Sequence, residues 1–311
     1  MMRRIMHAIP LALILLLSAC ATIPKNTAEL YTDDFSLLPE GGSMYLWADV
    51  IEAKPLLESI SFDDLTLKNA GAILDRTATA AAVFSGAGKG ERFLINLSGK
   101  YPTFRAGFSM AFSRDWKKTK SQTGNSYWKS SKFGIGVALD SKRAFVSTGD
   151  PLTAIAGASP AVRVPASFNE FRRGAVMAGW IPNPQEAVND FLLAMGIPIQ
   201  VPAEDFYFNI IKNRNPETGI EWELLFHIRT TTSVQARAIV TLFNLARAFM
   251  APAMLQPEPD DEPDLLDFLP ALFANSLQRD DDVLTLRSAA MSTKELALLF
   301  NAISLYSNMI L

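Results

Sequence analysis

A short pattern that occurs twice, 133 positions apart, restricts the fold of this 311-residue chain more than any other feature of its sequence. Its members are a glycine, a methionine and a tryptophan, and the two sets are Gly41, Met44 and Trp47, then Gly174, Met177 and Trp180. Each set lies in a short apolar stretch typical of a β-strand, with helix signals after it. The recurrence indicates that two stretches of similar length share one fold.

The elements that follow this pattern come in the same order in both stretches. The first stretch has predicted strands at about 77–85 and 91–98, and the second has them at about 205–212 and 219–229. Apolar residues occupy every second position from Ile220 to Ile228, which indicates a strand with one buried face. We therefore predict an α+β fold of two tandem copies of a β-α-β-β-α-β-α unit, with mainly antiparallel sheets and helices packed on one face. The first six elements resemble the order of a ferredoxin-like split unit.

A helix is predicted after the paired strands of each copy, because apolar residues recur there at helical spacing. They are Phe104, Phe108, Ala111 and Phe112 in the first copy, and Val234, Ala238, Leu242, Leu245 and Phe249 in the second. Capping boxes at Thr232–Gln235 and Ser292–Glu295 predict where two helices of the second copy begin, since the two side chains of such a box satisfy amides of the first turn.

The first twenty residues, MMRRIMHAIPLALILLLSAC, have the composition of an export signal. Arg3 and Arg4 provide a positive start, residues 5–17 are almost wholly apolar, and two small residues precede Cys20. This order is that of a secretory signal peptide, and the apolar run is shorter than the roughly 20 residues that a spanning helix needs. The ending Leu17-Ser18-Ala19-Cys20 resembles the lipobox of bacterial lipoproteins.

The lipobox resemblance implies a maturation route and a location. It implies that a lipoprotein signal peptidase removes residues 1–19, that acyltransferases attach palmitate-type chains to Cys20, and that the bilayer is a partner. Ala21 after the cysteine favours the outer membrane over the cytoplasmic membrane of the bacterial envelope. Cys20 is the only cysteine of the chain, so the protein has no disulfide to form.

These observations divide the chain into five segments. We predict a cleaved signal peptide at 1–19, a lipidated tether at 20–38, a first repeat at 39–158, a linker at 159–172 and a second repeat at 173–311. Two excursions interrupt the repeats. Residues 115–132 are Lys/Ser-rich and predict a loop or an exposed hairpin, and residues 252–263 are acidic and proline-rich, which fits either a solvated loop or a docking site for a basic partner.

Charge and composition exclude several classes of function. The 29 basic and 32 acidic residues give a net charge of −3 without a basic stripe, so nucleic-acid binding is not expected. Removal of Arg3 and Arg4 with the signal peptide leaves 27 basic and 32 acidic residues, a net of −5, and such a body is not expected to be drawn to anionic headgroups. One lipidated cysteine and one mature histidine cannot build a zinc site of the His/Cys type. We predict no metal and no cofactor.

His227 is the only histidine left after the signal peptide is removed, since His7 is the other. It lies on the polar face of its predicted strand with Glu221, Glu223 and Arg229, where water is the expected neighbour. No Gly-x-Ser-x-Gly elbow nominates a serine to work with it. We therefore predict no catalytic residue and expect His227 to be dispensable, and a lipid-anchored hydrolase that uses His227 or carboxylates is kept as an alternative.

Trp47 and Trp180 are the candidate contacts for a ligand or partner, although matched tryptophans of a repeat more often lie in the core. The sequence thus predicts a membrane-anchored bacterial envelope lipoprotein, a binding or structural protein without enzymatic activity, with an envelope protein as a further candidate partner. A carrier of an apolar ligand between helices and sheet is the other alternative. A large apolar cavity would favour the carrier, and a filled core would favour the binding or structural protein.

Overall fold

The structure, a computed structural model, describes residues 34–60, 75–85, 92–156, 161–185, 202–217, 219–250, 268–272 and 274–309. Within these residues the protein is a mixed fold of antiparallel strands and seven α-helices, which confirms the predicted α+β class. The described residues divide into two compact units, one made of the residues up to Pro165 together with those from Ser307 onwards, and one that covers Ala166–Tyr306.

The first unit begins with a 3-10 helix at Asp34–Leu37. Its further elements are β1 (Met44–Asp49), α1 (Val50–Ser59), β2 (Thr77–Ser85), β3 (Arg92–Gly99), α2 (Thr103–Phe112), β4 (Trp116–Lys120), β5 (Ser126–Ser130), β6 (Gly136–Leu139), β7 (Arg143–Ser147) and α3 (Pro151–Ala156). The strands lie in the order β1-β2-β3-β7-β6-β5-β4, and every neighbouring pair is antiparallel.

The second unit begins with a short helix, α4 (Ala166–Phe171). Its further elements are β8 (Met177–Pro182), β9 (Ala203–Asn215), β10 (Gly219–Thr230), α5 (Ser233–Met250), α6 (Leu269–Leu272), β11 (Gln278–Asp280), β12 (Val283–Arg287), β13 (Met291–Ser292) and α7 (Thr293–Met309). The strands lie in the order β8-β9-β10-β12-β11, with β13 paired to the early part of β10, and these pairs are antiparallel as well.

The predicted capping box at Ser292–Glu295 is complete, whereas only the Thr232 half of the box at Thr232–Gln235 is formed, since the buried Gln235 Oε1 has no hydrogen-bond partner among the described residues. At the start of α7 the Ser292 amide donates to Glu295 Oε2 at 2.7 Å, and the Glu295 amide donates to Ser292 Oγ at 3.2 Å. At the start of α5 the Gln235 amide donates to Thr232 Oγ1 at 3.3 Å. The first amides of a helix have no partner within the helix, so these side chains decide where each helix begins.

The core of the first unit lies between α2 and one face of its sheet. The helix contributes Ala106 and Met110, each about 1% exposed. The sheet and its connections supply larger side chains, namely Phe93, Ile95, Leu97, Tyr101, Trp116, Ile135, Val137 and Val146. Because large side chains of the sheet already fill this space, the helix packs against them through small or unbranched residues.

The core of the second unit lies between α5 and its own sheet. Ala236 and Ile239 of the helix pack against Leu277 and Leu284, and Ile228, Val240, Phe243 and Leu286 pack around this cluster. On strands β9 and β10 the Phe206 ring contacts those of Phe208 and Phe226, with centroids 6.4 Å and 6.0 Å apart. The alternation predicted for β10 therefore does mark a packed face.

Three features differ from the predicted element order or refine it. In a split βαβ unit the strands before and after the helix run parallel with another strand between them, whereas β1 and β2, on either side of α1, are antiparallel neighbours, so the ferredoxin-like resemblance is wrong. The Lys/Ser-rich excursion is a hairpin of β4 and β5. The predicted linker at 159–172 contains α4, whose Phe168 contacts Tyr207 of the second unit.

Several predicted features fall outside the described residues. They are the signal peptide at 1–19, Cys20 with the tether as far as residue 33, most of the helix predicted after the stretch that contains Trp180, and the acidic loop at 252–263. Among the helices that the structure describes, none is both long enough and apolar enough to cross a membrane.

Candidate functional site

The two matched tryptophans are buried at comparable places in the two units. Trp47 lies in β1, which pairs with β2, and Trp180 lies in β8, which pairs with β9. Each exposes 8% of its surface. Trp180 Nε1 donates to Asp205 Oδ1 at 3.4 Å, and its ring lies 6.2 Å from that of Phe168. Since so little ring surface is open, both residues serve in packing, and their role as ligand contacts stays a prediction without structural support.

His227 is half-buried against aromatic rings, so the prediction that its neighbour is water is wrong in part. Its imidazole stacks on the Tyr207 ring, with centroids 5.4 Å apart and planes inclined by 16°, and the Phe171 ring lies against it at 5.1 Å. Phe171 belongs to α4, a helix from the predicted linker that covers this face of β10. Strand alternation shows on which side a residue points, but it does not show which distant element covers that side.

Polar groups border the imidazole. Arg229 forms an ion pair with Asp205, the residue opposite it on β9. Tyr207 Oη and Ser167 Oγ share a hydrogen bond of 2.9 Å. Burial lowers the pKa of His227, the positive charge of Arg229 lowers it further, and the negative charge of Asp205 opposes both effects. The neutral imidazole is therefore the form that the fold favours.

This cluster lacks the connections of a hydrolase site. A histidine base must contact its nucleophile and an acid that orients it. Within the described residues no hydrogen bond joins His227 to a serine or carboxylate, since the Ser167 hydroxyl bonds Tyr207 and the Asp205 carboxylate bonds Trp180 and Arg229. The same part of the chain holds no cluster of His, Cys, Asp and Glu that could bind a metal ion. The cluster joins α4 to the sheet.

The half-buried imidazole makes the stability of the second unit depend on pH. The pKa of His227 is lower in the folded than in the unfolded protein, so the unfolded state takes up the proton first as the pH falls through about 6.5. The stability that the neutral ring contributes is complete above that pH and decreases below it. We expect the wild type to lose more unfolding free energy between about pH 7.5 and pH 5 than His227→Phe, which keeps a ring and removes the titration.

Urea denaturation at a series of pH values measures this difference. Subtracting the His227→Phe profile isolates the contribution of the imidazole, because every other ionisable group of the chain is present in both proteins. Identical pH profiles for the two proteins would contradict the assignment.

An exposed row of phenylalanines runs along α2. Phe104, Phe108 and Phe112 expose 82%, 59% and 76% of their surface. Residues four positions apart lie on the same side of a helix, and the ring centroids are 6.4 Å and 4.5 Å apart along the row. We call these three residues the phenylalanine ridge. A continuous row of exposed aromatic rings is typical of an interaction surface.

The predicted apolar stripes of both helices point away from their own sheets. In α2 the ridge lies opposite Ala106 and Met110, which are buried. In α5 the residues Val234, Ala238, Leu242 and Leu245 are exposed, whereas Ala236 and Ile239 are buried. An amphipathic stripe ordinarily marks the buried side of a helix. The sequence does allow this orientation, because each helix also carries a smaller set of apolar residues on its other side.

A basic hairpin follows the ridge directly. Its strands β4 and β5, with the residues that flank them, expose Arg114, Lys117, Lys118, Lys120, Lys129 and Lys132. Trp116 packs in the core beneath α2, and Lys118 and Lys120 lie on the same face of β4 as Trp116. Lys117 and Lys129 are opposite one another on the other face of the hairpin. Two of the lysines thus lie on the same side of the sheet as α2.

Comparison with known proteins identifies the fold and leaves the function open. No family model and no curated protein matches this chain. The chain is similar to TP0453 in its crystal form III, at 16% identity and a TM-score of 0.58, over 88% of this chain and 98% of that chain. Crystal form IV of TP0453 matches at 16% identity and a TM-score of 0.57, over 90% of this chain and 100% of that one. At this identity the likeness shows a shared fold alone.

Proposed function

We propose that this protein is a lipid-anchored protein of the bacterial envelope that acts by binding and not by catalysis. The observation that carries the proposal is Leu17-Ser18-Ala19-Cys20, placed directly after a positive and then apolar export signal. The resemblance to a lipobox assigns Cys20 as the acylated residue and favours the outer membrane. Two or more acyl chains hold a protein at a bilayer stably, where one does not.

The described residues support a binding role in two ways. The space between α2 and its sheet is occupied by packed side chains, as expected for a binding or structural protein more than for a carrier. The one histidine of the proposed mature chain lies between aromatic rings, and within the described residues no hydrogen bond joins it to a serine or a carboxylate. The phenylalanine ridge, in contrast, is a surface open to a partner.

We further propose that the two units arose by duplication. The strand order β1-β2-β3-β7-β6 of the first unit corresponds to β8-β9-β10-β12-β11 of the second, with antiparallel pairs throughout. In both units a long helix follows the third of these strands and exposes an apolar stripe.

The three matched residue types support this relationship locally. Gly41 and Gly174 have φ values of +82° and +76°, a left-handed conformation that glycine adopts at little cost. The methionines that follow are both half-buried, and the tryptophans are equally buried. The offset of 133 thus aligns residues with the same conformation and burial.

Metabolic labelling with palmitate tests the anchor. The wild-type chain, expressed in a lipoprotein-processing bacterium, should incorporate the label and sediment with membranes. Cys20→Ser should lose all incorporation because no thiol remains to be acylated. Ser18→Ala is the matched control, since a small residue before the cysteine is kept and labelling should persist. Equal labelling of wild type and Cys20→Ser, or a wild type that stays in the soluble fraction, would reject the anchor.

A further inference from the structure

We propose that the phenylalanine ridge and the basic hairpin dock on the surface of an anionic lipid bilayer. The choice of a bilayer as occupant rests on the proposed lipid anchor. The contacts themselves are features of the first unit and can be tested without the anchor.

The charge distribution favours an anionic surface. Residues 103–132 contain seven basic side chains and a single acidic one, Asp115, a net of +6 in a chain whose total is −3. The remaining residues therefore carry a net charge of −9. The negative net charge of the whole chain, which argues against attraction to anionic headgroups, thus includes one strongly positive segment. Basic side chains beside an apolar helix face are typical of proteins that bind anionic lipids.

The ridge has the dimensions of an interfacial element. The ten residues of α2 extend about 15 Å at 1.5 Å per residue, half of the roughly 30 Å of a hydrocarbon core. Such a helix can lie in the plane of the interface with its rings inserted about 5–10 Å. Its opposite side, with Ala106 and Met110, stays in the core of the first unit, so docking requires no unfolding.

The tether length keeps this surface close to the membrane. Thirteen residues lie between Cys20 and Asp34, where the described part of the first unit begins, and the fourteen Cα–Cα steps from Cys20 to Asp34 span at most about 50 Å. An acylated Cys20 thus holds the unit within about one protein diameter of the bilayer. A weak affinity of the ridge is sufficient under this condition, because the effective concentration of lipid is high.

Binding to vesicles tests the proposal without acylation. The chain from Ala21 to Leu311 keeps every residue that the structure describes and lacks Cys20. We expect it to sediment with vesicles of about 30% phosphatidylglycerol in phosphatidylcholine, and to bind less to pure phosphatidylcholine or in about 1 M salt. Replacing Phe104, Phe108 and Phe112 together by serine should weaken binding about a hundredfold, because the inserted apolar surface is lost.

Matched variants separate insertion from general surface effects. Replacing the same three residues by leucine keeps the apolar surface and should retain most of the binding. Lys118→Gln with Lys120→Gln, on the same side as α2, should weaken binding to anionic vesicles about tenfold. Lys117→Gln with Lys129→Gln removes the same charge from the other face and should have a smaller effect. Far-UV circular dichroism should be unchanged in all four variants, since every altered side chain is exposed.

Two results would overturn the proposal. One is equal vesicle binding by the wild type and the serine variant. The other is a wild type that binds neither vesicle but forms a dimer that the serine variant cannot form, which would make a second copy of the chain the occupant. Neither result affects palmitate labelling of Cys20, so failure of this inference is distinguishable from failure of the anchor.

Discussion

Trp222→Ala is expected to lower the free energy of unfolding of the second unit by about 3–5 kcal/mol. Trp222 lies on β10, fully buried, and its Nε1 donates to Thr293 Oγ1 at 2.8 Å at the start of α7. Truncation removes a large buried apolar surface and leaves a cavity that the surrounding sheet cannot close. It also leaves the Thr293 hydroxyl without this donor. Urea denaturation followed by circular dichroism measures the loss.

Trp222→Phe is the matched control for cavity formation. It keeps most of the ring volume and loses the hydrogen bond, so the expected cost is about 1–2 kcal/mol. The difference between the two variants then reports the cavity. If both variants lower the free energy of unfolding by the same amount, the stabilisation by Trp222 comes from the hydrogen bond and not from packing.

Gly99→Ala is expected to cost about 3 kcal/mol in the first unit. A Cβ atom at Gly99 would lie 2.0 Å from the carbonyl oxygen of Arg76 and 2.9 Å from the carbonyl carbon. Both atoms belong to the backbone at an irregularity in the β2–β3 pairing, and the Arg76 carbonyl also accepts a hydrogen bond from the Lys100 amide at 2.9 Å. The clash therefore cannot be relieved by moving a side chain.

Gly107→Ala is expected to change the stability of the same unit in the opposite direction. Gly107 lies within α2, and a Cβ atom there would meet nothing within 4 Å. Alanine is favoured over glycine in a helix by about 0.5–1 kcal/mol, so this variant should be more stable than the wild type. Comparison of the thermal midpoints of the two variants tests the pair. A Gly99→Ala protein as stable as Gly107→Ala would show that the close approach to Arg76 is absent.

Local patterns of the sequence were sufficient to place strand β10 and the start of helix α7. Strand β10 lies where the alternation from Ile220 to Ile228 predicts it, because alternate residues must share one face of a sheet. Helix α7 begins at the predicted box of Ser292 and Glu295, because the groups that satisfy its first amides are three residues apart.

The candidate site could not be predicted in the same way. The periodicity of the phenylalanines does identify a helix, but each side of α2 carries apolar residues. The sheet decides between them, since Phe93 and Trp116 leave room for Ala106 and Met110 and not for three more rings. Phe93 and Trp116 lie on strands, and the spacing of residues within the helix does not show which strand residues will pack against it.

The sequence by itself thus determined the α+β class, most of the longer strands and helices, and the resemblance of residues 17–20 to a lipobox, because each depends on residues a few positions apart. Only the tertiary structure decided that α4 covers His227, that the phenylalanine ridge points outwards, and that Lys118 and Lys120 lie on the same side of the sheet as that ridge. The physical reason is that burial depends on the volume left by distant elements, and no local pattern records that volume.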